Sequence, residues 1–171
     1  MNIGVQFSLS PFMKDMVITT ITSIITIVCL ILTIKVIANG VGPDEFGAYS
    51  LARRILTVAD PIATFAMGFA LTRYTAISLD DHKGHSYLSS ATLIVFVITT
   101  LIIALGIWFD VRISEIIFND SNHTSLFHAT LVLVAGYSMY ILLYSHLRGL
   151  GLMSIANIWQ LAVVAIGPLI I

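Results

Sequence analysis

Long uncharged runs separated by short polar breaks set the pattern of this chain. Met16–Ile34, Ser86–Phe109, Ser121–Leu147 and Gly149–Ile171 hold no Asp, Glu, Lys or Arg, and Ile55–Thr72 is interrupted only by Asp60. A bilayer core takes about 20 residues of helix. The pattern therefore predicts an all-α integral membrane protein with five transmembrane helices, at about 16–38, 43–72, 86–109, 124–147 and 152–171, after an N-terminal segment 1–15. The first run is longer than the ~7–15 apolar residues of a signal peptide, and only Lys14 precedes it as a positive charge, so no cleavage after Val36-Ile37-Ala38 is expected. The last run is still apolar at Ile171, which reads as the N-terminal part of a longer chain.

The breaks refine the elements. In Asn39-Gly40-Val41-Gly42-Pro43, Gly40 suits the left-handed stop of the first helix, and Pro43 suits the first turn of the second. Asp44 and Glu45 then sit where the helix dipole favours anions. A helix from Pro43 to Thr72 is roughly 45 Å long at 1.5 Å per residue, more than the hydrocarbon core, so its first turns are expected at the interface. Pro61 is expected to kink it. Ser78–His85 is a polar link, Asp110–Asn122 reads as a loop that is acidic apart from Arg112, and Leu147-Arg148-Gly149-Leu150-Gly151 is a tight link.

Composition agrees with the pattern. Of 171 residues, 58% are apolar and 10% charged, against about 25% charged in soluble domains. A net charge of −1 says nothing about a partner, and no basic run points to nucleic acid, so no nucleic-acid partner is expected. Cys29 is the single cysteine; it forms no intramolecular disulfide and reads as a buried, inert thiol.

Candidate chemistry concentrates on the second helix. At 100° per residue, Ser50, Arg53, Thr57, Asp60 and Thr64 share an arc of about 80°, with Arg54 at its border. Leu51, Ile55, Ala59, Ile62, Ala66 and Phe69 occupy the other side. In-helix pairing needs a spacing of about three or four residues, so Asp60 satisfies neither arginine. A charge at membrane depth costs about 2.5–3.5 kcal/mol on insertion scales and marks a functional position by default. Adjacent guanidinium groups form a fork for phosphate oxygens; interfacial snorkelling is the other reading of Arg53 and Arg54. Asp60 reads either as a proton or cation carrier or as a structural counter-ion.

Two further stripes carry the same duality. Thr19, Thr22, Thr26 and Thr33 lie on one side of the first helix, lining a cavity, packing on a neighbour or bonding back to their own turn. Lys35 faces the opposite side, one turn from the helix end. Tyr137, Tyr140 and Tyr144 share a face of the fourth helix, either stacking on sugars or packing with a wet tip. His82 and His85 beside Asp80 and Asp81 are a weak metal pattern, and no metal site is expected. The glycosylation-type triplets Asn119-Asp120-Ser121 and Asn122-His123-Thr124 are read as chance. No Ser-His-Asp, zinc or Gly-rich phosphate motif occurs. With Lys35, Arg53 and Arg54 set aside as cations read at membrane depth, Lys14, Arg73, Lys83 and Arg148 on one side oppose Arg112 on the other, which favours an N-terminus inside.

Gly42-Pro43-Asp44-Glu45-Phe46-Gly47-Ala48-Tyr49-Ser50-Leu51 resembles the start of the polysaccharide (O-antigen, Wzx-type) flippases of the multidrug/oligosaccharidyl-lipid/polysaccharide exporter superfamily. Gly68-Phe69-Ala70-Leu71-Thr72-Arg73-Tyr74 and Leu147-Arg148-Gly149-Leu150-Gly151 extend the likeness. Asn39 departs from it, standing where the family often has an arginine. The resemblance implies two six-helix lobes around a central, often cationic cavity, this chain supplying five helices of the first lobe. It implies a multi-pass protein of the bacterial inner (plasma) membrane, with a cytoplasmic N-terminus. The implied activity is flipping of isoprenoid-pyrophosphate-linked oligosaccharide for surface polysaccharide such as lipopolysaccharide O-antigen. This is transport rather than enzymatic chemistry and needs no cofactor. Expected partners are membrane lipid, the lipid-linked oligosaccharide and other polysaccharide-assembly membrane proteins. Arg53 and Arg54 would attract the pyrophosphate, with Lys35, Ser50, Thr57, Thr64, Tyr137, Tyr140 and Tyr144 as further cavity candidates.

Three other classes remain open. A drug or organic-cation antiporter of the same superfamily predicts a net acidic cavity, against the paired arginines. A membrane-embedded glycosyl- or acyltransferase needs a His, Asp or Glu constellation, for which Asp80-Asp81-His82 has no supporting partner. A non-transporting helper or remnant is the third.

Overall fold

The computed structural model describes residues 11–78, 81–118 and 124–166. Every element among them is helical: α1 (Pro11–Gly40), α2 (Pro43–Thr64), α3 (Met67–Ile77), α4 (Asp81–Trp108), α5 (Asp110–Phe118), α6 (Thr124–Gly149) and α7 (Met153–Gln160), which runs into a π-helical stretch, Leu161–Ile166. Three helices are long and apolar enough to cross a membrane, over Met13–Gly40, Ser86–Trp108 and Thr124–Gly149. The α2–α3 pair, bent by 46°, makes a fourth if it crosses as one span. The fifth expected span corresponds, among the described residues, to the shorter apolar helix Met153–Ala165. The Asn119 and Asn122 triplets and the side chains around His82 and His85 lie outside the described part.

The outward surface is apolar. Phe69, Val132 and Leu93 are 85%, 71% and 65% exposed, as expected for helices whose surroundings are lipid. Inside, α6 is the hub: α2, α3, α4, α5 and α7 all pack on it, whereas α1 packs on α7 and the π-helical stretch and only grazes α2. The seam explains the hub. Phe127, Leu131, Val134, Ser138, Leu142 and Ser145 are buried at steps of three or four, the spacing that keeps one stripe of a helix turned inward. Leu142 meets Leu71 of α3 and Ala91 and Val95 of α4 in the core, with Met67, Leu88 and Met139 around it.

Lipid tails are as apolar as these side chains, so helix association depends on close packing and hydrogen bonds rather than on exclusion of water. The α3–α6 contact shows both. A Cβ on Gly68 would lie 2.8 Å from Ser145 Oγ, and one on Gly149 would lie 2.7 Å from Thr75 Cβ and 2.9 Å from the Thr72 carbonyl oxygen. The Thr72 hydroxyl stands 3.0 Å from the carbonyl oxygens of both Gly68 and Ser145, so one donor serves its own helix and its neighbour. Thr75 Oγ1 and His146 Nδ1, both buried, are 3.3 Å apart across the same seam. Interhelical bonds in membranes average about 0.6 kcal/mol each, so close approach is what holds the pair.

Gly40 does not take the left-handed stop expected of it; it stays helical as the last residue of α1, and the glycine with positive φ among the described residues is Gly151. The start of α2 forms as its residues dictate. Gly42 is extended at the N-cap of α2, Pro43 opens the helix, and Asp44 and Glu45 occupy its first turn. The expected kink at Pro61 falls elsewhere: α2 continues through Pro61, and the chain breaks at Phe65 and Ala66, with φ of 46° and 54°. Proline removes one helical hydrogen bond, which weakens the turn, and the docking of α3 on α6 sets where the direction changes. The left-handed region costs about 1–2 kcal/mol for a non-glycine residue, so this break is held by packing on either side. Asp110–Phe118, expected as loop, is a helix; its nine residues are too short for the periodicity that reveals a span.

A glycine-specific prediction follows from the seam. Gly149→Ala drives a methyl into backbone and should destabilise the protein by about 1–3 kcal/mol, read as a lower unfolding midpoint in detergent. Gly106→Ala, whose contact is the far end of the Leu131 side chain, should leave that midpoint nearly unchanged.

Candidate functional site

The buried face of α2 is Ala48, Ala52, Ala63 and Thr64; the polar stripe runs along the border of that face, and Thr57 at its middle is exposed. Arg53 is half-buried, Asp60 half-buried, Thr64 buried, and Arg54, at the border of the stripe, is exposed. Tyr137, halfway along α6, lies within electrostatic reach of both Asp60 and Arg53. The two charges that cannot meet along α2 thus both act electrostatically on one phenol of α6. Neither arginine forms a hydrogen bond or ion pair through its guanidinium among the described residues. Asp60 Oδ1 is buried without a hydrogen-bond partner among them, as is the Thr99 hydroxyl of α4. A carboxylate at this depth costs several kcal/mol unless something pairs with it, so Asp60 is a position with unfilled bonding capacity.

The hydroxyls of the stripe behave differently from its charges. Ser50, Thr57 and Thr64 donate to the carbonyl oxygens of Phe46, Arg53 and Asp60, one turn back, at 2.8, 2.9 and 2.9 Å. Their protons are taken, and what they can still offer a ligand is an acceptor lone pair. The threonines of α1 resolve similarly. Thr22, Thr26 and Thr33 are buried, Thr26 and Thr33 donate to their own helix, and Thr19 Oγ1 accepts from Asn157 Nδ2 at 3.1 Å. That stripe is a packing face toward α7. Lys35 is exposed and lies off these contacts.

The three tyrosines form a ladder along α6. Tyr137 and Tyr140 have ring centroids 5.4 Å apart, and Tyr140 and Tyr144 are stacked at 5.8 Å with planes 24° apart. Arg148 Cζ closes the ladder, 5.5 Å from the centre of the Tyr144 ring. Tyr140 is buried between its neighbours and Tyr144 donates its hydroxyl to Gln160 Oε1 at 3.2 Å. The ring faces that could stack on a sugar are therefore largely occupied by one another, and Tyr137 is the member whose phenol reaches the charged pair. Asn157 and Gln160 are the polar contacts that sequence reading passed over. Their spacing of three residues within an otherwise apolar run was the available signal.

The ladder separates packing from ligand contact by mutation. Tyr140→Phe keeps the stack and should leave stability within about 0.5 kcal/mol, whereas Tyr140→Ala opens a cavity between two rings and should cost about 3–5 kcal/mol. Unfolding midpoints in detergent or nanodiscs measure both.

No curated protein and no solved structure matches this chain. A family model does: the one described as polysaccharide biosynthesis protein matches residues 12–171, which include α2 with its polar stripe and the tyrosine ladder. The chain belongs to the polysaccharide biosynthesis protein family of helical membrane proteins.

Proposed function

We propose that this chain is the N-terminal part of a flippase that moves an oligosaccharide linked to an isoprenoid pyrophosphate across the bacterial inner membrane. One observation carries the reading: Arg53 is half-buried in a membrane-spanning bundle, acts electrostatically on Tyr137 of α6, and has no ion pair among the described residues. A polyanionic headgroup is the ligand that offsets such a charge, because charge-assisted bonds to phosphate oxygens are about twice as strong as neutral ones. Arg53 is the principal contact and Arg54 draws the pyrophosphate from the exposed side. Tyr137 and the free lone pairs of Ser50, Thr57 and Thr64 line the path of the sugar. Asp60 is the candidate for a coupling proton or cation. The process is transport without covalent chemistry, and the lipid tail stays in the bilayer while the headgroup crosses.

In this reading the N-terminus is cytoplasmic. The ends of α3 and α6 and the start of α1, which carry Arg73, Arg148 and Lys14, then share the cytoplasmic side with the start of α7. The family's place in polysaccharide biosynthesis, together with two adjacent arginines that have no ion pair among the described residues, weighs against an organic-cation antiporter. Other membrane proteins of polysaccharide assembly are its expected partners.

Arg53→Ala in the protein at full length should lower surface glycan or proteoliposome transport by about 10- to 100-fold, the loss of one charged hydrogen-bonding group, with the protein still inserted. Arg54→Ala should cost less. Unchanged transport in the R53A variant would overturn the clamp.

A further inference from the structure

We infer that α5 lies in the plane of the membrane–water interface as an amphipathic anchor, holding Phe109 and Ile116 in the acyl boundary and Arg112 among lipid phosphates. Chain continuity fixes its depth. The span in α4 ends at Trp108, the span in α6 begins at Thr124, and α5 lies between them, so its start and its exit are tied to one membrane face. The two helices are separate and meet at Phe109: its N–H closes α4 on Leu105 O at 3.1 Å, and Ile113 N–H opens α5 on Phe109 O at 2.9 Å.

Its sides are distinct. Ser114 is fully buried, and Ile113 and Ile117 are half-buried on the side that packs on α6, α2 and α4. Away from that side Ile116 is 83% exposed, and Trp108, the last residue of α4, is 81% exposed just before α5 begins. Phe109 and Ile116 are within about 20° of one another around the helix, Arg112 follows at roughly 40–60°, and Glu115 lies beyond it. An apolar edge beside a charged edge is the arrangement that partitions at the headgroup boundary. Deep burial in lipid would strand Arg112 and Glu115, and immersion in water would leave Trp108 and Ile116 bare.

One carboxylate sets the tilt. Asp110 Oδ1 accepts the Val111 N–H at 2.6 Å, and Asp110 Oδ2 lies 3.1 Å from His128 Nε2 on α6. The start of α5 is thereby fastened to the first turns of α6, and the apolar edge is turned away from the bundle.

The test uses I116W in a W108F/W159F background, which removes the two native tryptophans, with the full-length protein in phosphatidylcholine–phosphatidylglycerol vesicles. Lipids brominated near the headgroup end of the acyl chain should quench its fluorescence at least about twofold more than lipids brominated near the methyl end, and aqueous iodide should quench weakly. Strong iodide quenching, equal quenching by both lipids, or protection from all quenchers (a protein partner on this face) would each overturn the inference. Ile116→Lys supplies a second measurement. Amide exchange in α5 should speed up about tenfold while exchange in α6 is unchanged, and Glu115→Lys should leave both alone. Uniform acceleration in α5 and α6 for I116K, or none in either, would count against it. The outcome is independent of transport.

Discussion

In a bilayer, helices gain nothing by hiding apolar side chains from lipid that is equally apolar, and this bundle depends on one place where backbones come close enough for that not to matter. Gly68 and Gly149 let α3 and α6 approach until a methyl would strike Ser145 at one level and Thr72 and Thr75 at another. The Thr72 hydroxyl then reaches a carbonyl of the opposite helix. Dispersion over a tight seam is individually small per atom pair and large in sum. Because α3 is held here, α4 can pack into the Leu71–Leu142 core, and α2 is delivered to the remaining face of α6.

That division of labour accounts for the break in the second span. A straight helix from Pro43 to Ile77 would have to present both the buried face of α2 and the small-residue contact at Gly68 to the same partner. The bend at Phe65 and Ala66 lets α2 and α3 meet α6 separately. The α3 part makes the close contact, and the α2 part carries the charges, which have no ion pair among the described residues. Strain of this kind is tolerated where surrounding contacts over-determine it.

Much of this was legible in the chain. Apolar runs gave the spans in α1, α4 and α6, the Gly-Pro-acidic turn gave the start of α2, and the angular arc of Ser50 to Thr64 placed together Arg53 and Asp60, which both act on Tyr137. What stayed hidden depends on neighbours. Neither Phe65 nor Ala66 has a local preference for the left-handed region, so the break is visible only once α3 is docked. Nine residues of α5, mixing charged and apolar positions, offer too few turns for a period to emerge from an acidic segment. Tyr137, Tyr140 and Tyr144 were placed on one face by spacing alone, but spacing could not say that the rings would spend their faces on one another. The role of Asn157 and Gln160 likewise exists only across helices.

The left-handed pair at residues 65–66 also sets a phase. Only Met67 separates it from Gly68, whose place opposite Ser145 is a matter of rotation as much as of distance. Adding or removing one residue there would turn the start of α3 by about 100° and swing Gly68 off the seam, bringing a bulky flank against α6. This junction can therefore accommodate changes of side chain far more readily than changes of length, and chains sharing the architecture should differ here by substitution rather than by insertion or deletion.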